Sequence, residues 1–351
     1  MNSLNNIKAM KLLSFVVPSY NAEKYLNKVI PSLLEGGDDV EIFIVNDGSK
    51  DNTLEIAKKF EKESPNIVKV IDKENGGHGS TINAALKEAT GLYFKCIDAD
   101  DWVDKDSLLK LLAKIKEHVN KNTLPDLYLV NFVYENIETG RKAPMSLRKY
   151  FPKDESIVTW ENIKVFNYED YLMMHELVYK TSVLRETNLH LPEHTFYVDN
   201  VYVYEPLYYT KTLCFLDLDF YRYAVGRADQ SVSLKNMDKN YLHQLRVLQE
   251  TMLRFSMEDL NKLSKKHRRQ MIHSFVTIFS LTQRFCTLGD YKKKYNDYLK
   301  VIDEFKEKNK AFYKQITHKT AFAFYMILPF KLKVLMVNSI SRRINKKTSW
   351  N

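Results

Sequence analysis

Three carboxylates lie within four positions of one another, at Asp98, Asp100 and Asp101. They follow the apolar run 92–97, whose composition is that of a buried strand. Acids this close repel one another, and a folded protein tolerates them in a cleft when a cation lies there. Oxygen ligands of this kind suit Mg²⁺ or Mn²⁺. The alternative is a solvated acidic turn that caps a helix beginning near Asp104.

Polar segments interrupt the chain at three earlier points, each directly after an apolar run of strand-like composition (12–17, 40–45 and 67–71). Stretches with helical spacing separate these runs (22–34, 51–62 and 81–89). Alternating strands and helices predict a parallel sheet covered by helices on both faces. Ligands of such sheets bind beyond the carboxyl ends of the strands. The polar segments therefore converge on one edge of the sheet (18–21, 46–49, 72–80 and 98–101). This convergence favours a binding site over a solvated acidic turn.

The polar segments offer chemistry suited to a nucleotide. Asp47 can accept hydrogen bonds from a base or a ribose, and Gly48 leaves room for close backbone approach. The loop 75–80 opens a helix, so its amides are placed to face an anion. His78 is interpreted either as a substrate contact or as a solvated loop histidine. The loop matches neither the P-loop nor the GxGxxG pattern, which argues against a Rossmann-type oxidoreductase.

Four motifs carry a family resemblance through their order and spacing (Val17–Asn21, Val45–Thr53, Asn75–Gly77 and Asp98–Asp101). Together they resemble the successive motifs of the family 2 glycosyltransferases, over residues 10–235. The resemblance implies an α/β fold of the GT-A type, with a Rossmann-like, mostly parallel sheet that binds a nucleotide-diphosphate sugar. An α-helical C-terminal region follows it. We expect a catalytic domain over 1–233 and a helical region with a basic amphipathic tail over 234–351.

The resemblance also implies roles for individual residues. It places a set of residues in nucleotide-sugar binding (Pro18, Tyr20, Asn21, Glu23, Asp47, Gly77, Asp98, Ala99 and Arg227). Asp98 is expected near the ribose, and Asp100 is expected to bind a divalent metal, Mn²⁺ or Mg²⁺. Arg227 is expected to contact phosphate, the alternative being a surface arginine. One departure is visible, because many members have Ala-Arg-Asn where this chain has Thr81-Ile82-Asn83, without the arginine.

An inverting sugar transfer needs a further carboxylate that deprotonates the acceptor hydroxyl. The family usually has Glu-Asp where this chain has Val198-Asp199, and Asp199 is therefore assigned as the general base. The alternative is an N-cap for a helix that follows from Val201. Glu193 and His194 are expected to orient the acceptor.

Together, these expectations predict an inverting glycosyltransferase that moves a sugar from a nucleotide-diphosphate donor to a hydroxyl acceptor. UDP is the nucleotide that the resemblance implies, and the acceptor is expected to be a lipid-linked or protein-linked surface glycan. The alternative is a non-catalytic nucleotide-sugar-binding or scaffold subunit whose partner carries out the chemistry. The acids Asp98, Asp100 and Asp199 favour the enzyme.

Basic and apolar residues concentrate towards the C-terminus. The 351-residue chain has a formal net charge of +9, and residues 301–351 contain eleven Lys and Arg against three Asp and Glu. An apolar segment with basic flanks predicts peripheral association of 320–347 with an anionic membrane surface rather than with nucleic acid. The alternative is a helix packed on the catalytic domain. The apolar stretch is too short and interrupted to span a bilayer.

Composition also bears on compartment and assembly. The three cysteines, Cys96, Cys214 and Cys286, form no CxxC and fit a reducing cytoplasm rather than a disulfide framework or a zinc site. No signal-peptide pattern is found at the N-terminus, so a cytoplasmic location on the inner face of the membrane is expected. Apolar residues at helical spacing after 233 predict long helices that form a core or pair in a homo-oligomer.

Overall fold

The computed structural model describes most of the chain (residues 10–167, 169–226 and 234–318, with the single positions 328 and 332). Arg227, the predicted phosphate contact, lies outside these residues. So does the tail 320–347, apart from its two single positions. Across the described residues, no helix combines the length and the apolar character needed to cross a bilayer. Peripheral membrane binding stays a prediction.

The described residues divide into two compact units, one within 1–166 and 172–225 and the other within 167–171 and 226–351. The first unit contains a sheet of ten strands among its described residues (β1 Leu13–Ser19, β2 Val40–Asp47, β3 Val68–Lys73, β4 Tyr93–Cys96, β5 Trp102–Val103, β6 Leu127–Asn136, β7 Lys142–Met145, β8 Val158–Thr159, β9 Leu177–Lys180 and β10 Thr212–Val225).

The sheet is mostly parallel. Its strand order is β3-β2-β1-β4-β9-β6-β10-β5, with β7 paired to β6 and β8 to β10. Strands β3, β2, β1 and β4 are parallel neighbours, and β6 runs parallel to β10. Strand β9 runs antiparallel to both β4 and β6 and joins the two parallel groups. This Rossmann-like sheet, followed by a helical region, confirms the predicted fold class.

In the described part of the first unit, six α-helices accompany the sheet (α1 Leu26–Leu34, α2 Thr53–Glu63, α3 His78–Glu88, α4 Lys105–Asn120, α5 Thr181–Glu186 and α6 Asp199–Leu207). Every residue of β2 is buried, and β1 buries all its residues except Pro18. Burial on both faces explains why these strands are almost continuously apolar. Apolar side chains of α1 and α4 join the same core as those of β1 and β2.

Helix α4 is the helix predicted near Asp104, and Asp104 itself caps it. The Asp104 carboxylate accepts a hydrogen bond from the backbone N–H of Ser107 (3.1 Å), and Arg222 donates to its second oxygen (3.0 Å). A side-chain cap of this kind satisfies one of the free amides of the first helical turn. The interpretation of the acids at 98–101 as the cap of this helix is therefore wrong.

Strand β10 is irregular where it passes the acidic turn. Its pairing with β6 shifts register between Phe215 and Asp219 and again between Asp219 and Tyr221. The Asn131 side chain donates to the carboxylates of Asp217 (2.8 Å) and Asp219 (3.1 Å) at this point. Register shifts re-aim side chains. Tyr221, which follows the second shift, is fully buried, and its hydroxyl donates to Asp101 in the turn that follows β4.

The second unit is helical in its described residues (α7 Leu234–Lys239, α8 Tyr241–Arg254, α9 Met257–Asn261, α10 Lys265–Cys286, α11 Tyr291–Lys308 and α12 Lys310–His318). The Phe275 ring of α10 lies 4.7 Å from that of Phe312 and 5.5 Å from that of Phe305, measured between centroids. Most residues of the predicted apolar stripes are buried (Leu245, Leu248, Met252, Phe255, Met271, Phe275 and Ile278), whereas Leu281 is partly buried and Leu242 is 56% exposed. The stripes form this unit's own core. Pairing into a homo-oligomer stays a prediction.

Candidate active site

The loops that follow β1 and β2 are tied to each other at the carboxyl edge of the sheet. Asn21, with a φ of +49°, accepts a hydrogen bond from Lys50 N through Oδ1 (2.9 Å), and its own N–H donates to Ser49 Oγ (3.0 Å). Glu23 Oε2 accepts from the backbone N–H and from the side chain of Asn52 (3.0 Å each). Asn21 and Glu23 therefore fix the shape of this edge through contacts within the chain.

Asp47 ends β2 and is 2% exposed. Its Oδ1 accepts hydrogen bonds from Lys73 Nζ (2.9 Å) and Gly76 N (2.9 Å). Its Oδ2 accepts from Gly77 N (2.8 Å) and Asn75 Nδ2 (3.1 Å). A buried charge is tolerated when it is paired and hydrogen-bonded in this way. The anion that these loop amides face is therefore Asp47 itself, which organises the entry into α3. Its contact with a base or a ribose stays a prediction.

Glycine is required where this loop meets the segment that precedes α6. Gly77 has a φ of +83°, and a Cβ there would lie 3.3 Å from backbone atoms of His194. The His194 N–H donates to the carbonyl of Gly76 (2.5 Å). Within α3, Asn83 exchanges two hydrogen bonds with Leu191, as donor to its carbonyl (2.8 Å) and acceptor from its N–H (2.9 Å). The glycine loop and the segment before α6 are thus held together.

Asp98 and His78 form an ion pair at the carboxyl end of β4. His78 is the first residue of α3, and its Nε2 lies 2.9 Å from Asp98 Oδ1. Burial raises the pKa of Asp98, but the hydrogen bond and the positive charge of His78 outweigh burial and hold that pKa below its ordinary value. His78 is therefore bound by an acid of the site and is not simply a solvated loop residue.

Asp101 turns away from this pair into the core. It is 1% exposed, and its carboxylate accepts hydrogen bonds from the Tyr221 hydroxyl (2.6 Å) and from Ala224 N (2.8 Å). Burial, together with the charge of Asp98, raises the pKa of Asp101 well above its ordinary value. The three acids thus have two different roles, because Asp101 anchors the turn to β10 while Asp98 and Asp100 remain partly exposed at the edge.

A buried lysine lies next to the acidic turn, and none of the sequence motifs predicts it. Lys95 of β4 is fully buried and donates to the carbonyls of Met174 (3.0 Å) and His175 (2.5 Å). The His175 ring stacks on Tyr221 with 4.5 Å between centroids, so His175 is a packed residue. Burial lowers the pKa of Lys95 to about 7 and that of His175 to about 4. A lysine inside an otherwise apolar strand is the sequence signal that identifies this position.

We expect the substitution Lys95→Met to remove a pH dependence of stability. An unfolded lysine has a pKa of about 10.4, whereas burial lowers the pKa of Lys95 to about 7. The folded chain binds fewer protons between these values, so the free energy of unfolding rises with pH in this window, by at most about 1.4 kcal/mol per pH unit. The stability gained at high pH is lost again as the pH is lowered to about 7, the pKa of Lys95 in the folded chain. Denaturant unfolding of both proteins at pH 7.5 and 9 measures it, and an equal change in the two would contradict it.

Asp199 is the first residue of α6, and Val198 holds the N-cap position. The alternative interpretation, an N-cap for a helix following from Val201, is therefore wrong. Burial raises the pKa of Asp199 above its ordinary value, the charge of Asp98 raises it further, and the charge of His78 opposes both. The charges of the Asp98–His78 pair therefore influence the proton affinity of Asp199.

The backbone just before Asp199 is strained. His194 has a φ of +49° and Tyr197 a φ of +65°, a left-handed conformation that non-glycine residues rarely adopt. Such strain costs about 1–3 kcal/mol per residue and concentrates at functional sites. Glu193 and His194, the predicted acceptor contacts, are exposed in this segment, and Phe196 is 50% exposed. The segment therefore offers polar and aromatic groups beside Asp199.

The remaining predicted residues lie on the loops of the same sheet edge. Pro18 is half-buried near the end of β1, and Tyr20, just after that strand, is 52% exposed. Ala99 is partly exposed in the turn after β4. These residues lie at the same sheet edge as Asp47 and Asp98, and their contacts with a nucleotide stay predictions.

Asp100 fits the predicted divalent metal by its chemistry. It is a partly exposed carboxylate in the acidic turn, and Mn²⁺ and Mg²⁺ prefer oxygen ligands completed by substrate phosphates. Ligand atoms of His78, Cys96 and Asp98 also lie within 4.8 Å of one another. Nitrogen and sulfur donors suit softer metals, and the ion pair already explains the closeness of His78 to Asp98. Asp100 therefore stays the predicted metal ligand.

Comparison with known sequences agrees with this geometry. The model of the family described as glycosyl transferase family 2 matches residues 14–180. The chain is 27% identical over 284 residues to poly(ribitol-phosphate) beta-N-acetylglucosaminyltransferase TarS of Staphylococcus aureus, a match that covers 79% of this chain and 46% of TarS. It is 26% identical over 289 residues to putative glycosyltransferase EpsH of Bacillus subtilis, covering 80% of this chain and 77% of EpsH. The match spans about half the length of TarS.

Solved structures agree on the fold. A crystal structure of S. aureus TarS 1–349 matches with a TM-score of 0.62 at 22% identity, covering 87% of this chain and 83% of that one. The same fragment in complex with UDP-GlcNAc matches with a TM-score of 0.52 at 22% identity, covering 85% and 92%. Residues 14–180, which carry all four sequence motifs, therefore form a glycosyl transferase family 2 domain, and the fold of the unit that contains it is GT-A.

Proposed function

We propose that this chain is an inverting glycosyltransferase that moves a sugar from a UDP-sugar to a hydroxyl group of a bacterial surface glycan. The observation that carries the proposal is the Asp98–His78 pair at the carboxyl edge of a family 2 domain, with the segment that leads to Asp199 held to the adjacent glycine loop by the hydrogen bond from His194 to Gly76. Ligands of parallel sheets bind at this edge. TarS has been solved with UDP-GlcNAc, which makes UDP-GlcNAc the first donor to test.

In the proposed reaction, Asp199 takes the proton of the acceptor hydroxyl as the hydroxyl oxygen attacks the anomeric carbon of the donor sugar. The bond from that carbon to the diphosphate breaks on the opposite face, so the sugar inverts and UDP leaves. Asp98 lies near the ribose and the glycine loop supports the donor. A bound Mn²⁺ or Mg²⁺, held by Asp100, supplies positive charge that offsets the charge on the leaving diphosphate.

A panel of nucleotide sugars with Mn²⁺ tests this proposal. We expect UDP-sugars to raise Tm and to be hydrolysed slowly without an acceptor, and we expect EDTA to stop the hydrolysis. Proton NMR at early times would detect the inverted anomer. Retention of configuration, or no stabilisation by any nucleotide sugar, would overturn the proposal.

A cellular assay separates the enzyme from a non-catalytic scaffold. Strains that carry Asp100→Ala or Asp199→Ala are expected to lose the glycan modification, because each change removes a group of the proposed chemistry. Asp106→Ala is a matched control at an exposed position of α4. A scaffold would keep its cellular role in both site variants.

Membrane association through 320–347 is a second part of the proposal, supported by the charge of that segment. We expect the full chain to float with liposomes that contain anionic lipid and to stay unbound with neutral liposomes. A chain truncated after Lys319 should lose most of this binding. Equal flotation of the truncated chain would show that the tail is not the membrane-binding element.

A further inference from the structure

His78 occupies a fixed position at the start of α3. The loop before it is held by Asp47 through the amides of Gly76 and Gly77, which are therefore already used. The N-terminus of a helix carries a partial positive charge that favours anions. The amides of Gly76 and Gly77 are already hydrogen-bonded to Asp47 and are not available to a ligand. An anionic ligand at this helix end would therefore contact the His78 side chain.

The His78–Asp98 pair belongs to the surface of the site. The two side chains are 31% and 27% exposed, whereas Ile82, four residues later on the same face of α3, is fully buried. The face of α3 that carries His78 and Ile82 therefore changes from partly exposed to fully buried within about one helical turn. Burial lowers the pKa of His78, but hydrogen bonds to Asp98 and Cys96 outweigh burial and raise that pKa well above its ordinary value. Pairing with Asp98 therefore favours the positively charged form of the ring.

Two neighbouring lysines are committed to other contacts. Lys73 Nζ donates to Asp47 Oδ1 (2.9 Å) and to Ser80 Oγ (3.0 Å). Lys95 is fully buried and donates to backbone carbonyls. His78 is also paired, but its partner Asp98 is partly exposed at the proposed donor site, so this pair is open to a ligand. A diphosphate that enters beside Asp98 and Asp100 meets two negative charges, and a cation at this point offsets them.

We infer that His78 is a further donor-binding residue, whose ring contacts the diphosphate of the nucleotide sugar while it holds Asp98 in place. The inference rests on the proposed function and adds a specific residue to it. A charge-assisted hydrogen bond to phosphate strengthens binding of the diphosphate but has no partner in a neutral nucleoside. The predicted signature is therefore a selective loss of affinity for UDP relative to uridine.

The test compares His78→Gln and His78→Asn, which remove the charge, with His78→Arg, which keeps it. Competition against a labelled UDP-sugar measures the affinities of UDP and of uridine, each with Mn²⁺ and with EDTA. We expect both uncharged variants to bind UDP roughly tenfold to a hundredfold more weakly, with uridine affinity within about twofold of wild type. His78→Arg should recover most of the UDP affinity.

Three outcomes overturn the inference. Wild-type affinity for UDP in both uncharged variants shows that His78 makes no diphosphate contact. Equal losses for UDP and uridine show that His78 only orients Asp98. A loss of UDP affinity that disappears with EDTA shows that His78 acts through the metal. A wild-type chain that binds no nucleoside diphosphate overturns the proposed function first and this inference with it, so the two failures are distinguishable.

Discussion

Asp199→Asn is expected to lower kcat by about 10²–10⁴-fold, the usual contribution of a general base. The amide has the shape of the carboxylate but cannot take the acceptor proton. Stability is expected to stay the same or to rise slightly. Burial raises the pKa of Asp199, which means that the fold disfavours its ionised form. Initial rates with UDP-GlcNAc and thermal unfolding measure the two effects on the same preparation.

The same shift determines the pH dependence of the wild-type protein. Only the ionised Asp199 accepts a proton, so kcat/KM should fall at acid pH with a midpoint above the ordinary aspartate pKa of about 3.9. A group whose pKa is raised by folding stabilises the fold below its unfolded pKa, and this stabilisation is lost as pH rises through the folded pKa. The wild type should therefore gain stability relative to Asp199→Asn on acidification.

Asp101→Asn is a control for the general base, since it is the same substitution at an acid that faces the core instead of the site. It disturbs the hydrogen bonds to Tyr221 and Ala224, so we expect a lower Tm and a smaller loss of kcat. If Asp199→Asn kept full kcat while Asp101→Asn lost it, the general base would have to be assigned elsewhere.

Asp47→Asn is expected to be the most destabilising of these changes. It removes the partner of Lys73 and places an amide NH₂ group against the N–H of Gly76 or Gly77, in a position only 2% exposed. Leaving buried donors unsatisfied and breaking a largely buried ion pair costs about 2–4 kcal/mol. This corresponds to a fall in Tm of roughly 5–15 °C.

The measurement pairs thermal unfolding with UDP affinity. Because Asp47 organises the loop that leads to His78, we expect UDP binding to weaken together with Tm. Asp106→Asn, at an exposed position of α4, should change the stability by no more than about 0.5 kcal/mol. An unchanged Tm in Asp47→Asn would show that the glycine loop holds its shape without the carboxylate.

Much of the fold was predictable because its signals are local. The apolar runs before 18, 46, 72 and 98 and the helical spacing between them indicate a parallel sheet, and the four strands were confirmed as parallel neighbours. The C-terminal stripes predicted helices that bury Leu245, Leu248 and Phe275. Strand β9 was not predicted, because its four residues carry no periodic pattern and it is defined by antiparallel partners distant in sequence.

The sequence by itself determined that acids, glycines and a histidine follow the strands, since turn chemistry and hydrophobic periodicity depend on neighbours along the chain. It did not separate Asp101, which is an anchor, from Asp98, which faces the site, because that choice depends on Tyr221 and Ala224 far along the chain. The hydrogen bonds from the amides of Gly76 and Gly77 to Asp47 are likewise tertiary contacts that residue order does not reveal. The packing between distant segments decides which carboxylate is exposed and which cation pairs with it. Signals between neighbours along the chain do not reveal this packing.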